Sequence, residues 1–200
     1  MPVLGITGGI ATGKTLFTEC LARLCPALSV FDSDACARRL TAGDPAILNA
    51  IREEFGSSIF DADGALMRPA LRAIVFADSA RRKALEAILH PAIRGEWLAL
   101  AEAIRTEPGD RWLAVDIPLL FETSAETHFD HVITVACSAP TQLRRLTEQR
   151  HLPPELANRM IASQLPLPLK VERADFAVWN DGLPEALESQ VRLLARHLFS

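Results

Sequence analysis

The chain has 200 residues, 49% hydrophobic and 23% charged, enough for one substantial soluble core. Its formal net charge of −4, without any block of like charge, argues against a broad duplex-DNA-binding face. No apolar run approaches the roughly 18 residues needed to cross a bilayer. The start Met1-Pro2-Val3-Leu4-Gly5-Ile6 lacks the basic region and cleavage site of a signal peptide, so the cytoplasm is the expected compartment.

In chain order, Val3 to Thr7 is short, apolar and β-rich, and breaks at Gly8-Gly9, the pattern of a buried first strand. Phe17, Cys20, Leu21 and Leu24 then share one helical face, and Pro26 ends that helix. Ser29 to Phe31 reads as a second strand running into Asp32-Ser33-Asp34. Arg81 to Leu89 is helical, and Pro91 either kinks this helix or opens the next, Ala92 to Ile104. Trp112 to Val115 and His131 to Val135 are further strands. Thr141 to Gln149 and Glu155 to Gln164 read as two helices joined by Leu152-Pro153-Pro154. Ala174 to Val178 is the last strand, before the turn signal Trp179-Asn180-Asp181-Gly182. Leu187, Val191, Leu194 and Leu198 mark an amphipathic final helix. Strands alternating with helices predict a mainly parallel α/β sheet covered on both faces. Cys20, Cys25, Cys36 and Cys137 show no metal-ligand spacing and are expected as buried, reduced thiols.

Between the first strand and the first helix lies Gly8-Gly9-Ile10-Ala11-Thr12-Gly13-Lys14-Thr15, a phosphate-binding loop pattern. Glycines let the loop turn tightly and aim backbone N–H groups at phosphate oxygens. Lys14 offers a positive charge to the terminal phosphates and Thr15 a hydroxyl to Mg2+, while the helix entered through Leu16 adds its positive dipole end. The whole stretch Gly8 to Leu16 is the expected nucleotide-binding segment. An N-K-x-D stretch is absent, which leans away from guanine specificity.

Asp32 and Asp34 follow the second strand, where ligands of α/β sheets bind. One of them is expected to accept a hydroxyl proton or to hold Mg2+ through water. Asp34 and Arg38 project on one face of the following helix; the alternative is that Asp34 caps that helix and pairs weakly with Arg38. Asp116, after Trp112-Leu113-Ala114-Val115, is placed as a metal-side acid, or else caps the Ile117-Pro118 turn. From Ser138 to Arg173, six basic residues including Arg144, Arg145 and Arg150 face three acidic ones. Such a hairpin suits a lid that clamps phosphates and excludes water.

Several of these segments together resemble one family, dephospho-CoA kinase. They are Gly5 to Thr15, Phe31-Asp32-Ser33-Asp34-Ala35-Cys36-Ala37-Arg38, Leu85 to Ile93 with His90-Pro91, and Asp116-Ile117-Pro118-Leu119-Leu120-Phe121-Glu122. Arg159 to Gln164, Lys170, Ala174-Asp175-Phe176 and Asn180 complete the set. The matches run in order over nearly the whole chain. The resemblance implies ATP- and Mg2+-dependent phosphorylation of the ribose 3′-hydroxyl of dephospho-CoA. It implies Asp34 as the base, and Arg38, His90, Pro118, Leu119 and Phe121 in the acceptor pocket. Arg145 and Arg150 are implied as lid arginines that steady the ATP phosphates, with Lys14 and Arg145 as catalytic cations. Ala11 and Thr12 depart from the family's usual glycine and serine.

The expectation is a P-loop NTPase-type parallel sheet flanked by helices, with a helical acceptor-binding insertion and a helical lid. The core would comprise about 1–35, 111–137 and 174–200, the acceptor region about 36–110 and the lid about 138–172. The rivals are another small-molecule P-loop kinase, separated by the acceptor segments, and a nucleotide-dependent switch, which would bind nucleotide without acceptor-dependent ADP release. A nucleic-acid kinase is disfavoured by 6% aromatics and the absence of tyrosine.

Overall fold

The computed structural model describes residues 2–106, 109 and 111–199. In chain order it contains β1 (Val3–Gly8), α1 (Lys14–Leu24), β2 (Leu28–Asp32), α2 (Ser33–Gly43), α3 (Pro45–Phe55), α4 (Arg68–Ala77) and α5 (Ser79–Thr106). Then follow β3 (Trp112–Asp116), β4 (His131–Ala136), α6 (Ala139–Arg144), α7 (Pro154–Ala162), α8 (Leu167–Arg173), β5 (Phe176–Trp179) and α9 (Pro184–Leu198). The chain forms two compact units, one of Met1–Phe31 with Ala103–Ser200 and one of Asp32–Glu102. The expected boundary at 110 lies outside the described residues.

The first unit carries the sheet, in the order β2-β3-β1-β4-β5. β1 runs parallel to both β3 and β4, and β4 parallel to β5. β1 is buried along its full length, as a strand flanked on both edges and covered on both faces must be. Leu4, Ile6, Ala114, Ile133, Val135 and Val178 from the strands pack with Phe17 and Leu21 of α1 and Leu187 and Val191 of α9. Burying side chains of this size stabilises by about 1.5–3 kcal/mol each before entropy is charged. The second unit is helical. Its buried apolar residues include Leu40, Ile47, Ile51, Leu71 and Trp97, and α2 lies against α3. Among the described residues no helix is long and apolar enough to cross a membrane. The four cysteines are buried and free, as expected.

Four local expectations need correction. Of the two readings of Pro91, the one in which it opens a new helix at Ala92 fails: α5 is continuous over 28 residues with Pro91 inside. Loss of one backbone bond is tolerated where good helix formers continue on both sides. The last strand begins at Phe176 rather than Ala174, because Asp175 turns its carboxylate back to accept from the Val132 N–H at 2.7 Å. The helix expected over 141–149 is α6 followed by a π-helical turn over Arg145–Gln149. Capping of α2 falls to Asp32, whose Oδ1 accepts from Ala35 N at 2.9 Å; Asp34 sits in the first turn. α3, α4 and α8 were not expected from the sequence as separate helices.

Candidate active site

β1 delivers the chain into the phosphate loop and α1 takes it over at Lys14, with Gly13 at φ 92° as the residue before the helix. The first helical bond runs from Phe17 N to Gly13 O, 3.1 Å, so the amides of Lys14, Thr15 and Leu16 stand at the open end of the helix. That end favours an anion.

The loop glycines answer to what lies behind the loop as well as to phosphate. A Cβ on Gly8 would stand 2.4 Å from the Val135 carbonyl oxygen. One on Gly9 would meet Gln142 Nε2 at 2.6 Å, and one on Gly13 would meet Asn180 Nδ2 at 2.1 Å. Ala11 is held at φ 60°, in the left-handed region that costs a residue with a Cβ about 1–2 kcal/mol.

A frame of polar side chains grips the loop from outside. Asn180 Nδ2 donates to Thr12 O at 2.9 Å. The Arg145 guanidinium donates to Ala11 O at 3.1 Å, to Thr12 O at 3.2 Å and to Asn180 O at 2.7 Å. Gln142 Nε2 donates to Ile10 O at 2.7 Å, and Gln164 Oε1 accepts from Ile10 N at 2.8 Å. Arg145, expected from the family resemblance as a phosphate-steadying lid residue, therefore has three backbone carbonyls as its partners here. A cavity of about 300 Å³ opens beside the loop, lined in part by Ala11, Gly13, Leu16, Arg145, Arg150 and Asn180.

Lys14 Nζ lies 3.3 Å from Asp116 Oδ1, and both side chains are largely buried. Asp116 ends β3 in register with Ile6 of β1, so the sheet sets it beside the loop. The segment after Asp116 is tied down in turn. Thr7 Oγ1 donates to Pro118 O at 3.3 Å and Lys170 Nζ to the same oxygen at 2.9 Å. The Glu122 carboxylate accepts from Lys170 Nζ and from Leu165 N, the latter at 2.8 Å. Phe121, expected to line the acceptor pocket, is buried with Leu120, Ala125 and Val132, and Arg173 stacks over its ring at 4.6 Å. Pro118 and Leu119 are half-buried.

Asp34, Arg38 and His90 belong to the second unit. Asp34 is exposed at the start of α2, and Arg38 lies 3.7 Å from Asp32 rather than pairing with Asp34. Arg68 Nη2 donates to Arg38 O at 2.5 Å. His90 sits half-buried within α5. Burial is the main cause that lowers its pKa, opposed by the Glu86 carboxylate and assisted by Arg94.

Gln142, Gln164 and the Lys170–Glu122 pair had no assigned role in the sequence reading. Gln164, Lys170 and Glu122 entered it only as members of family segments, because contacts across 48 to 154 residues leave no mark on local spacing.

The chain matches the family described as dephospho-CoA kinase over residues 2–185. A dephospho-CoA kinase of Xanthomonas euvesicatoria is 43% identical over 195 residues, covering 96% of this chain and 93% of that protein. The crystal structure of TT1252 from Thermus thermophilus aligns at 31% identity with a TM-score of 0.77, covering 98% of this chain and 97% of that one. The dephospho-CoA kinase structure from Campylobacter jejuni, 24% identical over 98% of this chain and 96% of its own, shares the fold with a TM-score of 0.71. With the phosphate loop, its lysine–aspartate pair and the parallel sheet in place, the chain belongs to the dephospho-CoA kinase family.

Proposed function

We propose that the protein transfers the γ-phosphoryl group of Mg-ATP to the ribose 3′-hydroxyl of dephospho-CoA, giving coenzyme A and ADP. The observation that carries this reading is the Lys14–Asp116 pair at the open end of α1, in a chain whose family is dephospho-CoA kinase. Phosphoryl transfer asks for positioning and charge stabilisation more than for covalent chemistry. Lys14 and the amides at the start of α1 supply positive charge to the β- and γ-phosphates. The cavity beside Ala11, Gly13 and Leu16 takes the rest of the nucleotide, with Arg150 at its edge. Residues of about 138–172 form the lid over it.

The donor set fits Mg2+. Thr15 offers a hydroxyl at the start of α1 and Asp116 a carboxylate at the end of β3. Among the described residues no cluster of three His, Cys, Asp or Glu forms a protein cage. One hydroxyl and one carboxylate suit an ion that keeps its waters and completes its shell with phosphate oxygens. When bound, the ion would supply charge neutralisation at the phosphates.

The second unit holds the acceptor, with Arg38 and His90 as binding residues. Asp34 is the base for the attacking hydroxyl. Asp32 has its carboxylate engaged in capping α2, which leaves Asp34, exposed in the first turn, as the better placed acid. The reaction belongs in the cytoplasm, in keeping with four free thiols.

The test is ADP release from Mg-ATP by the purified protein, with and without dephospho-CoA, while the acceptor is followed by mass. Acceptor-dependent ADP with a mass gain of one phosphate is the expected result. Nucleotide binding without acceptor-dependent release overturns the proposal.

A further inference from the structure

Two glutamines from different helical segments close on one residue of the phosphate loop. Gln142, buried on α6, donates from Nε2 to the Ile10 carbonyl at 2.7 Å. Gln164, just beyond α7, accepts at Oε1 from the Ile10 N–H at 2.8 Å. The amide orientations follow from the partners, since a carbonyl requires a donor and an N–H an acceptor. The Ile10 backbone is thus satisfied on both sides by the segment spanning 138–172.

The next residue is the strained one. Ala11 stands at φ 60°, and its own carbonyl accepts from Arg145 at 3.1 Å. A residue with a Cβ stays in that region only where its surroundings over-determine it. Bonds to Ile10 N, Ile10 O and Ala11 O do so here. The position is also where this chain has alanine in place of the glycine usual in the resemblance.

We infer that Gln142 and Gln164 are positioning residues that clamp Ile10 and thereby hold the phosphate loop, strained Ala11 included, in its binding shape. The clamp sits behind the loop and touches no reacting atom. It acts on nucleotide affinity by sparing the loop an ordering step when the phosphates arrive. This rests on the nucleotide-binding part of the proposed function, but requires nothing of the acceptor.

The experiment is calorimetric titration of the full chain with Mg-ADP, alongside thermal unfolding without ligand. Gln142→Met removes the donor at nearly constant volume, and Gln164→Ala removes the acceptor. Each is expected to weaken ADP by about tenfold, the effect of one lost hydrogen bond to a constrained loop. Repeated in an Ala11→Gly background, where the left-handed conformation is unstrained, the loss should shrink to about threefold. The inference is overturned if ADP affinity is unchanged while the melting temperature falls, since that marks mere packing. Equal losses in both backgrounds overturn it as well. Should one variant fail to fold, the other carries the same comparison. ADP titration involves no acceptor, so failure to form coenzyme A would count against the proposed reaction and leave this result to be judged separately.

Discussion

Lys170 Nζ lies 2.8 Å from Glu122 Oε1, and the lysine side chain is wholly buried. Burial is the main influence that pulls the ammonium pKa below its ordinary value; the Glu122 carboxylate holds it up, and Lys14 opposes it further. Through Glu122 and the Pro118 carbonyl this lysine binds α8 to the segment that follows Asp116.

Removing one partner of this pair should cost far more than removing both. Glu122→Ala leaves a buried ammonium unpaired and is expected to destabilise the fold by about 3 kcal/mol. The double variant Lys170→Met with Glu122→Leu should recover most of that loss. Urea unfolding of the single and double variants measures both, and equal destabilisation would show that the charge is not what the segment depends on.

Gly13 tolerates no side chain for two independent reasons. Its φ of 92° disfavours a Cβ, and that Cβ would lie 2.1 Å from Asn180 Nδ2. Gly13→Ala should displace Asn180 from Thr12, destabilise by more than about 2 kcal/mol and abolish detectable ADP binding. Retained binding in a titration would mean that the loop can shift without penalty.

At Ala11 the opposite change should help. Ala11→Gly removes left-handed strain of about 1 kcal/mol or more, offset by about 0.5–1 kcal/mol of added unfolded-state freedom. The expected net is a small rise in melting temperature, about 1–2 °C for a chain of this size. A fall on thermal scanning would show that residue 11 is not strained in solution.

Asp32 and Asp34 should separate cleanly under substitution. Asp34→Asn removes the proposed base and should lower turnover by about 100-fold or more, while ADP affinity stays within about twofold. Asp32→Asn keeps a good capping residue and should retain most turnover. Steady-state ADP release with dephospho-CoA tests both, and the reverse pattern would transfer the base assignment to Asp32.

His90 imposes a pH dependence on stability. Burial is the main cause that holds its folded pKa below the ordinary histidine value of about 6.5. Above that value both folded and unfolded forms are neutral and the residue contributes nothing. Below it the unfolded chain binds the proton more readily, so stability falls as pH drops from about 6.5 through the folded pKa. His90→Asn lacks this loss, and its stability relative to the parent should improve between pH 7.5 and pH 5.5. Parallel unfolding curves across that range would contradict the shift.

Much of the site was legible in the sequence because its signals are local. The glycine-lysine-threonine loop, the strand before it and the amphipathic helix after it all lie within 24 residues, where spacing reports directly on backbone shape. Asp116 was placed by the apolar run preceding it, and the sheet sets it beside Lys14. Pro91 left two readings open because proline is a boundary signal only on average, and α5 carries it internally. The alternative that Asp34 caps α2 lies two residues too late, because Asp32 and Asp34 are equally good caps by residue type; Asp32 takes the extended conformation that precedes the helix.

The sequence alone determined the α/β class, the phosphate loop and the family segments, since periodicity and short motifs are properties of neighbouring residues. Tertiary structure decided what holds the loop. Gln142, Gln164 and Asn180 reach it across 132, 154 and 168 positions, and Arg145 turns to carbonyl oxygens rather than waiting at the surface. Those partners are chosen by the need of buried backbone groups for hydrogen bonds, and which side chain meets that need depends on how the helices fold back onto the sheet.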